Sequence, residues 1–161
     1  MKKILVIGCP GSGKSTFARE LSLALGIKVT HLDMLFWNPD KTTVEREVFH
    51  SRLAEVLKGD SYIIDGNFSS TMEWRMGECD TVFFLDLPTD VCISSVRERR
   101  GKPRADIPWV ETEEDAEFME FIETFREKRR PTILELIEKY KKDTVIFTSR
   151  DEVNEYIERL K

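Results

Sequence analysis

The run Gly8-Cys9-Pro10-Gly11-Ser12-Gly13-Lys14-Ser15 carries the residue types that hold a polyphosphate, in the spacing that task needs. Its glycines let the backbone wrap closely round an anion with successive N–H groups turned inward. A helix starting near Ser15 adds the partial positive charge of its N-terminus. Lys14 can reach β- and γ-phosphates, and the Ser15 hydroxyl can ligate Mg²⁺. A random chain of this length would show the pattern G-x-x-x-x-G-K-[ST] about 1% of the time, and less often between a buried strand and a helix. The expected nucleotide-binding residues are therefore Gly8, Cys9, Pro10, Gly11, Ser12, Gly13, Lys14, Ser15 and Thr16, with ATP as the nucleotide.

Two carboxylates could serve such a site. Asp65 closes the apolar run Tyr62-Ile63-Ile64 beside the glycine-rich strand and is expected, with Ser15, to serve the Mg²⁺ ion. Asp33 ends a neighbouring strand, where ligands collect in open α/β sheets, and could orient an acceptor hydroxyl as general base, hold the acceptor or a metal-bound water, or simply cap the following segment. Arg97, Arg99, Arg100 and Arg104 form a local positive cluster in an otherwise acidic chain, and arginine forks suit phosphate oxygens. Arg100 and Arg104 flank the segment 101–108 and are the foremost candidates, with Arg99 next. A second cluster, Arg126, Arg129 and Arg130, places Arg126 and Arg130 one helical turn apart. Phe36, Trp37 and Trp74 could stack on a planar acceptor or pack the core. Lys14 is expected to lower the thiol pKa of Cys9, and His31 to be structural.

These residues need a scaffold, and the chain alternates short β-rich runs with longer helical ones. Strands are expected at Ile4–Ile7, 28–32, 62–64, 81–85 and 145–147. Helices are expected at 15–25, stopped by Gly26, at 43–58 on Val44, Val48, Leu53, Val56 and Leu57, at 90–99, and at 152–160. Phe118, Phe121, Ile122 and Phe125 read as the core face of a helix that Pro131 kinks or restarts. The resulting expectation is α/β: a single-domain P-loop NTPase fold over residues 1–161, a five-stranded parallel sheet flanked by helices, with a short lid at about 99–110. Residues of about 34–60 would bind the acceptor.

The 161 residues suffice for one domain. Hydrophobic residues at 40% and charged residues at 34% exclude a disordered or fibrous chain. The net charge of −5 and the lack of a basic stripe argue against nucleic acid as a partner. No apolar run is long enough to span a bilayer. The 3 cysteines lack metal or disulfide spacing, so a reduced, cytoplasmic protein is expected. The base-reading Asn-Lys-x-Asp element of GTPases does not occur.

With the loop at Gly8–Ser15, the strings His31-Leu32-Asp33-Met34-Leu35, Tyr62 to Asn67 and Asp80 to Pro88 make the chain similar to the adenylate-kinase-related small P-loop kinases. Asp-x-Leu-x-Trp-x-Pro at Asp33 to Pro39 and Asp-Gly-Asn at Asp65 to Asn67 resemble the subgroup named DNA topology modulation proteins, FlaR-like, over essentially the whole chain. The resemblance implies Mg²⁺-assisted phosphoryl transfer from ATP to a nucleoside- or nucleotide-like acceptor, a lid starting near Arg97 to Arg104, and a post-lid arginine, Arg130 or Arg126, at the phosphates. The catalytic set it implies is Lys14, Asp33, Arg99, Arg100, Arg104 and Arg130. Two departures concern the acceptor. Adenylate kinases grip its phosphate with an arginine three residues after the Asp, where this chain has Phe36, and with another after Asp-Gly, where Asn67-Phe68-Ser69 has none. Arg75 could substitute from farther along. The alternative reading is a nucleotide-regulated DNA-topology-modulating or regulatory ATP-binding protein without kinase turnover.

Overall fold

The computed structural model describes residues 1–161. Its strands are β1 (Lys3–Gly8), β2 (Val29–His31), β3 (Tyr62–Asp65), β4 (Thr81–Leu85) and β5 (Asp143–Phe147). They form a five-stranded sheet in the order β2-β3-β1-β4-β5, with every pairing parallel. Central strands of such a sheet are covered on both faces. Ile4, Leu5, Val6 and Ile7 of β1 and Val82, Phe83, Phe84 and Leu85 of β4 are accordingly 0% exposed. The edge strand β5 leaves Asp143 and Ile146 in solvent.

The helices are α1 (Lys14–Leu25), α2 (Leu32–Phe36), α3 (Arg46–Leu57), α4 (Ser69–Glu78), α5 (Thr89–Arg99), α6 (Ala116–Glu123), the single turn α7 (Phe125–Lys128), α8 (Arg130–Tyr140) and α9 (Arg150–Leu160). None is long and apolar enough to cross a membrane. Phe17 of α1 and Tyr156 of α9 pack edge-on against Phe83 and Phe147, so those helices share one aromatic cluster with β4 and β5. Gly26 ends α1 in the left-handed conformation that favours glycine.

Several elements differ from expectation. The strand expected to reach Leu32 stops at His31, because Leu32 already turns inward as the first residue of α2. In α3 the buried face is Phe49, Leu53 and Leu57, spaced by four, while Val48 is exposed. Helix α4 has no counterpart in the expected elements; its inner face mixes Met72 and Met76 with Thr71 and Arg75. The break between α6 and α8 falls at Thr124 and Arg129, and Pro131 sits in the first turn of α8, where its missing N–H costs no helical bond.

Candidate active site

The loop between β1 and α1 lies at the carboxyl end of the central strand, where open α/β sheets gather their ligands. Ser12 N–H donates to the Cys9 carbonyl at 2.9 Å, tightening the loop. Gly11 and Gly13 have φ of 84° and 90°, and at both a Cβ would also collide. It would meet the Cys92 carbonyl at Gly11 and the Arg150 guanidinium at Gly13. Arg150 of α9 donates to the carbonyls of Ser12 at 2.8 Å and Gly11 at 2.9 Å. It turns those oxygens away from the cradle, a support for which sequence offers no local signal.

Asn67 supports the same loop from the other side. Its side-chain Oδ1 accepts from Gly8 N–H at 3.1 Å, and its Nδ2 donates to the Gly8 carbonyl at 2.6 Å. Asn67 is held in turn by Arg75, which is wholly buried and faces no carboxylate. The Arg75 guanidinium donates to three successive carbonyls, Gly66 at 3.1 Å, Phe68 at 3.2 Å and Asn67 between them, and its Nε donates to Thr71 Oγ1 at 3.1 Å. Burial pulls its pKa down to about 9, which still leaves it charged at neutral pH. Arg75 therefore faces the back of the turn after β3 and is closed to an acceptor phosphate.

The register pairs His31 with Asp65 across β2 and β3, and the His31 Nδ1 meets the Asp65 carboxylate. The other Asp65 oxygen is 3.3 Å from Ser15 Oγ. Ser15 Oγ is also 3.0 Å from Asp106, a buried carboxylate of the segment between α5 and α6 that sequence reasoning missed. A hydroxyl flanked by two carboxylates is chemistry suited to a divalent cation completed by phosphate oxygens and water. No three or more His, Cys, Asp or Glu side chains form a metal cage of their own. The residues thus fit Mg²⁺ arriving with the nucleotide, and Ser15 and Asp65 are the ones that could hold it.

Asp33 lies in the first turn of α2, and its carboxylate has no hydrogen-bond partner. Burial raises its pKa, assisted by the charges of Asp65 and Asp106 and opposed by Lys14 and Arg104. Asp33, Lys14, Asn67 and Phe68 line a cleft of about 890 Å³, closed from the lid side by Arg99, Arg104, Ile107 and Trp109. Trp109 meets Trp37 edge-on with ring centroids 5.2 Å apart, joining lid to acceptor segment.

The arginines divide. Arg104 lines the cleft and is bound to Asp106 at 2.7 Å and to Glu111. Arg99 also lines it, 3.7 Å from Glu111, with its Nε free of any hydrogen bond. Arg100 and Arg97 lie off the cleft lining and pair with Glu114, at 2.9 and 3.0 Å. Arg130 and Arg126 are drawn to the buried Asp86 after β4, at 2.9 and 3.1 Å, instead of lining the cleft.

Other expectations need correction. The Cys9 thiol is raised, not lowered: the neighbouring Cys92 thiol and burial together outweigh Lys14. Trp74 packs against His50 outside the cleft. Phe36 is committed to Phe49 and Phe68. Phe118 and Phe121, expected in the core, are half-buried and line the cleft, while Met119 and Ile122 take the inner face of α6.

A parallel sheet in this order with a glycine-rich strand-to-helix loop, Lys14 and Ser15 at its end, defines a P-loop nucleoside-triphosphate-binding domain of the kinase-like fold. The chain belongs to the AAA_18 family, described as an AAA domain, whose model matches residues 4–120. No curated protein matches it significantly. Among solved structures it is similar to shikimate kinase from Acinetobacter baumannii in complex with shikimate, at 15% identity and a TM-score of 0.66 over 99% of this chain and 90% of that one. Shikimate kinase from Bacteroides thetaiotaomicron gives 24% and 0.63 over 98% and 94%. Deoxyadenosine kinase from M. mycoides with bound dATP gives 16% and 0.61 over 98% and 96%. At such identities the likeness is one of fold.

Proposed function

We propose that this protein is a Mg²⁺-assisted, ATP-dependent phosphotransferase that phosphorylates a hydroxyl of a small nucleoside- or nucleotide-like acceptor. The observation that carries the reading is the convergence on one cleft of a phosphate-binding loop, a carboxylate with no hydrogen-bond partner and a lid with an open arginine donor: Lys14, Asp33 and Arg99. The similarity of fold to a shikimate kinase and a deoxyadenosine kinase supports it.

In this reading the loop N–H groups and Lys14 hold the triphosphate, and Ser15 and Asp65 hold the metal, which neutralises charge on the phosphates when bound. Asp33 accepts the acceptor's hydroxyl proton as its oxygen attacks; the raised pKa of its carboxyl suits it to take that proton. Arg99 and Arg104 approach the transferring phosphoryl group from the lid, whose closure excludes water. Trp37 and Phe68 offer faces to a planar acceptor. The three cysteines are all free, as expected of a cytoplasmic protein, and the strings at Asp33–Pro39 and Asp65–Asn67 support placement in the topology-modulation subgroup.

The deciding experiment is ATP consumption with Mg²⁺ across nucleosides, nucleoside monophosphates and small polyols, with Lys14→Ala as control. Turnover with one acceptor that Lys14→Ala abolishes is the expected result. ATP binding without turnover across the whole panel would replace this reading with a regulatory one, to be pursued by DNA binding at two salt concentrations.

A further inference from the structure

We infer that the acceptor is an uncharged planar aromatic compound bearing a hydroxyl: a nucleoside in preference to its monophosphate. This deepens the kinase reading and rests on it. Recognition of an acceptor phosphate needs an arginine fork, or several cations, free to face it. The arginines on the acceptor side are engaged elsewhere, and the one left open, Arg99, lies on the lid.

Three positions matter on the acceptor side. Phe36 stands where the resemblance to adenylate kinases implies a phosphate-gripping arginine, and its ring packs 5.0 Å from Phe68 and 5.3 Å from Phe49. Arg75, the one nearby substitute, is 0% exposed and spends its guanidinium on three backbone carbonyls. Arg52 donates to the Leu35 carbonyl at 2.9 Å, which pins it along α2.

The lid offers room for one anionic group, not two. Arg104 is neutralised by Asp106 and Glu111, and among the lid arginines that line the cleft only Arg99 is an open donor, its guanidinium free of hydrogen bonds though 3.7 Å from Glu111. ATP brings the phosphoryl group that this donor and Lys14 would serve. Freeing Arg104 for a second phosphate would leave Asp106 and Glu111 facing that phosphate, so the exchange gains no net attraction. The cation then left on the cleft wall is Lys41, a point charge on an exposed flexible stem. Against this, the aromatic share of the lining is large: Trp37, Phe68, Trp109, Phe118 and Phe121. Such a wall suits a flat uncharged ring and gives nothing to a second phosphate.

The test is equilibrium binding, read by tryptophan emission, with Mg²⁺ and a non-hydrolysable ATP analogue present. The probes are adenosine, guanosine, cytidine and thymidine, each beside its 5′-monophosphate, with glycerol as polyol. The expected result is binding of at least one nucleoside, a dissociation constant at least tenfold weaker for its monophosphate, and less than a twofold change for that nucleoside in Lys41→Ala. Trp37→Ala should weaken the nucleoside at least tenfold and leave the ATP analogue unchanged. A monophosphate bound as tightly as its parent overturns the inference, as does binding of no nucleoside. In either case the ATP analogue still binding wild type, and not Lys14→Ala, would leave the kinase reading standing. Loss of ATP-analogue binding in wild type would remove both.

Discussion

The Asp106 carboxylate of the lid stands 3.0 Å from the Ser15 hydroxyl of the phosphate-binding loop, across 91 residues of chain. The contact places a lid anion where the loop is otherwise prepared for phosphate and metal, and Arg104 fixes it there through bonds of 2.7 and 3.0 Å. Burial alone would raise the Asp106 pKa, but the Arg104 bonds and charge, with Ser15 and Lys14, hold it well below the ordinary carboxylate range. A depressed folded pKa means the stabilisation is whole above the unfolded value of about 3.9 and is lost as pH falls through the folded one. Tryptophan emission from the lid should therefore stay constant from pH 7 down to about 4 and change only below it. Asp106→Asn should show the acid-form emission already at pH 7. A lid transition near pH 6 would contradict this.

Asp33 works in the opposite sense. Its raised pKa requires that the acid limb of kcat/KM lie above the ordinary carboxylate value of about 3.9, with activity falling as pH drops and the base protonates. Asp33→Asn should lower kcat roughly 10²- to 10⁴-fold while the dissociation constant for ATP changes less than about threefold. A limb at ordinary carboxylate pH, or equal losses in ATP binding and kcat, would remove Asp33 from the role of base.

Arg75→Met would strip three carbonyls and Thr71 of their buried donor. The expected destabilisation is about 3 kcal/mol, or a fall in Tm of roughly 6–12 °C for a chain of this size, measured by thermal unfolding. Arg75→Lys keeps the charge but not the fork, so hydrogen exchange at Gly8, which Asn67 holds, should rise in that variant while β5 amides stay unchanged. Unaltered exchange at Gly8 would show that the turn holds without Arg75.

Cys9 should resist alkylation. Its thiol is buried near the Cys92 thiol and raised in pKa, so iodoacetamide at pH 8 should leave it unmodified in the native protein and modify it after denaturation. Rapid native-state labelling, read by mass spectrometry of the loop peptide, would contradict the placement.

The parts of this architecture legible in the sequence are those with local signals. Continuous apolar runs marked β1 and β4, Gly26 marked the end of α1, and Gly8–Ser15 carried its own spacing. Helix α4 was hidden because Arg75 occupies the position where periodicity looks for an apolar residue, and only a set of backbone carbonyls explains its burial. Asp106 and Arg150 could not be anticipated for a different reason. Each meets the phosphate loop across a long stretch of chain, as a single residue with no motif around it. Phe118 and Phe121 misled because an apolar stripe reads alike whether it faces a core or a cleft.

Arg150 has a bearing on how the molecule is made. The carbonyls of Gly11 and Ser12 wait for a donor 139 and 138 residues downstream. During synthesis, which proceeds at about 5–20 residues per second, the loop leaves the ribosome well before the side chain that fastens it. A nascent chain therefore carries the loop's sequence without its brace until α9 has emerged. Nucleotide capture by the braced loop then waits for α9 to dock, so ATP binding also reports that this helix is in place.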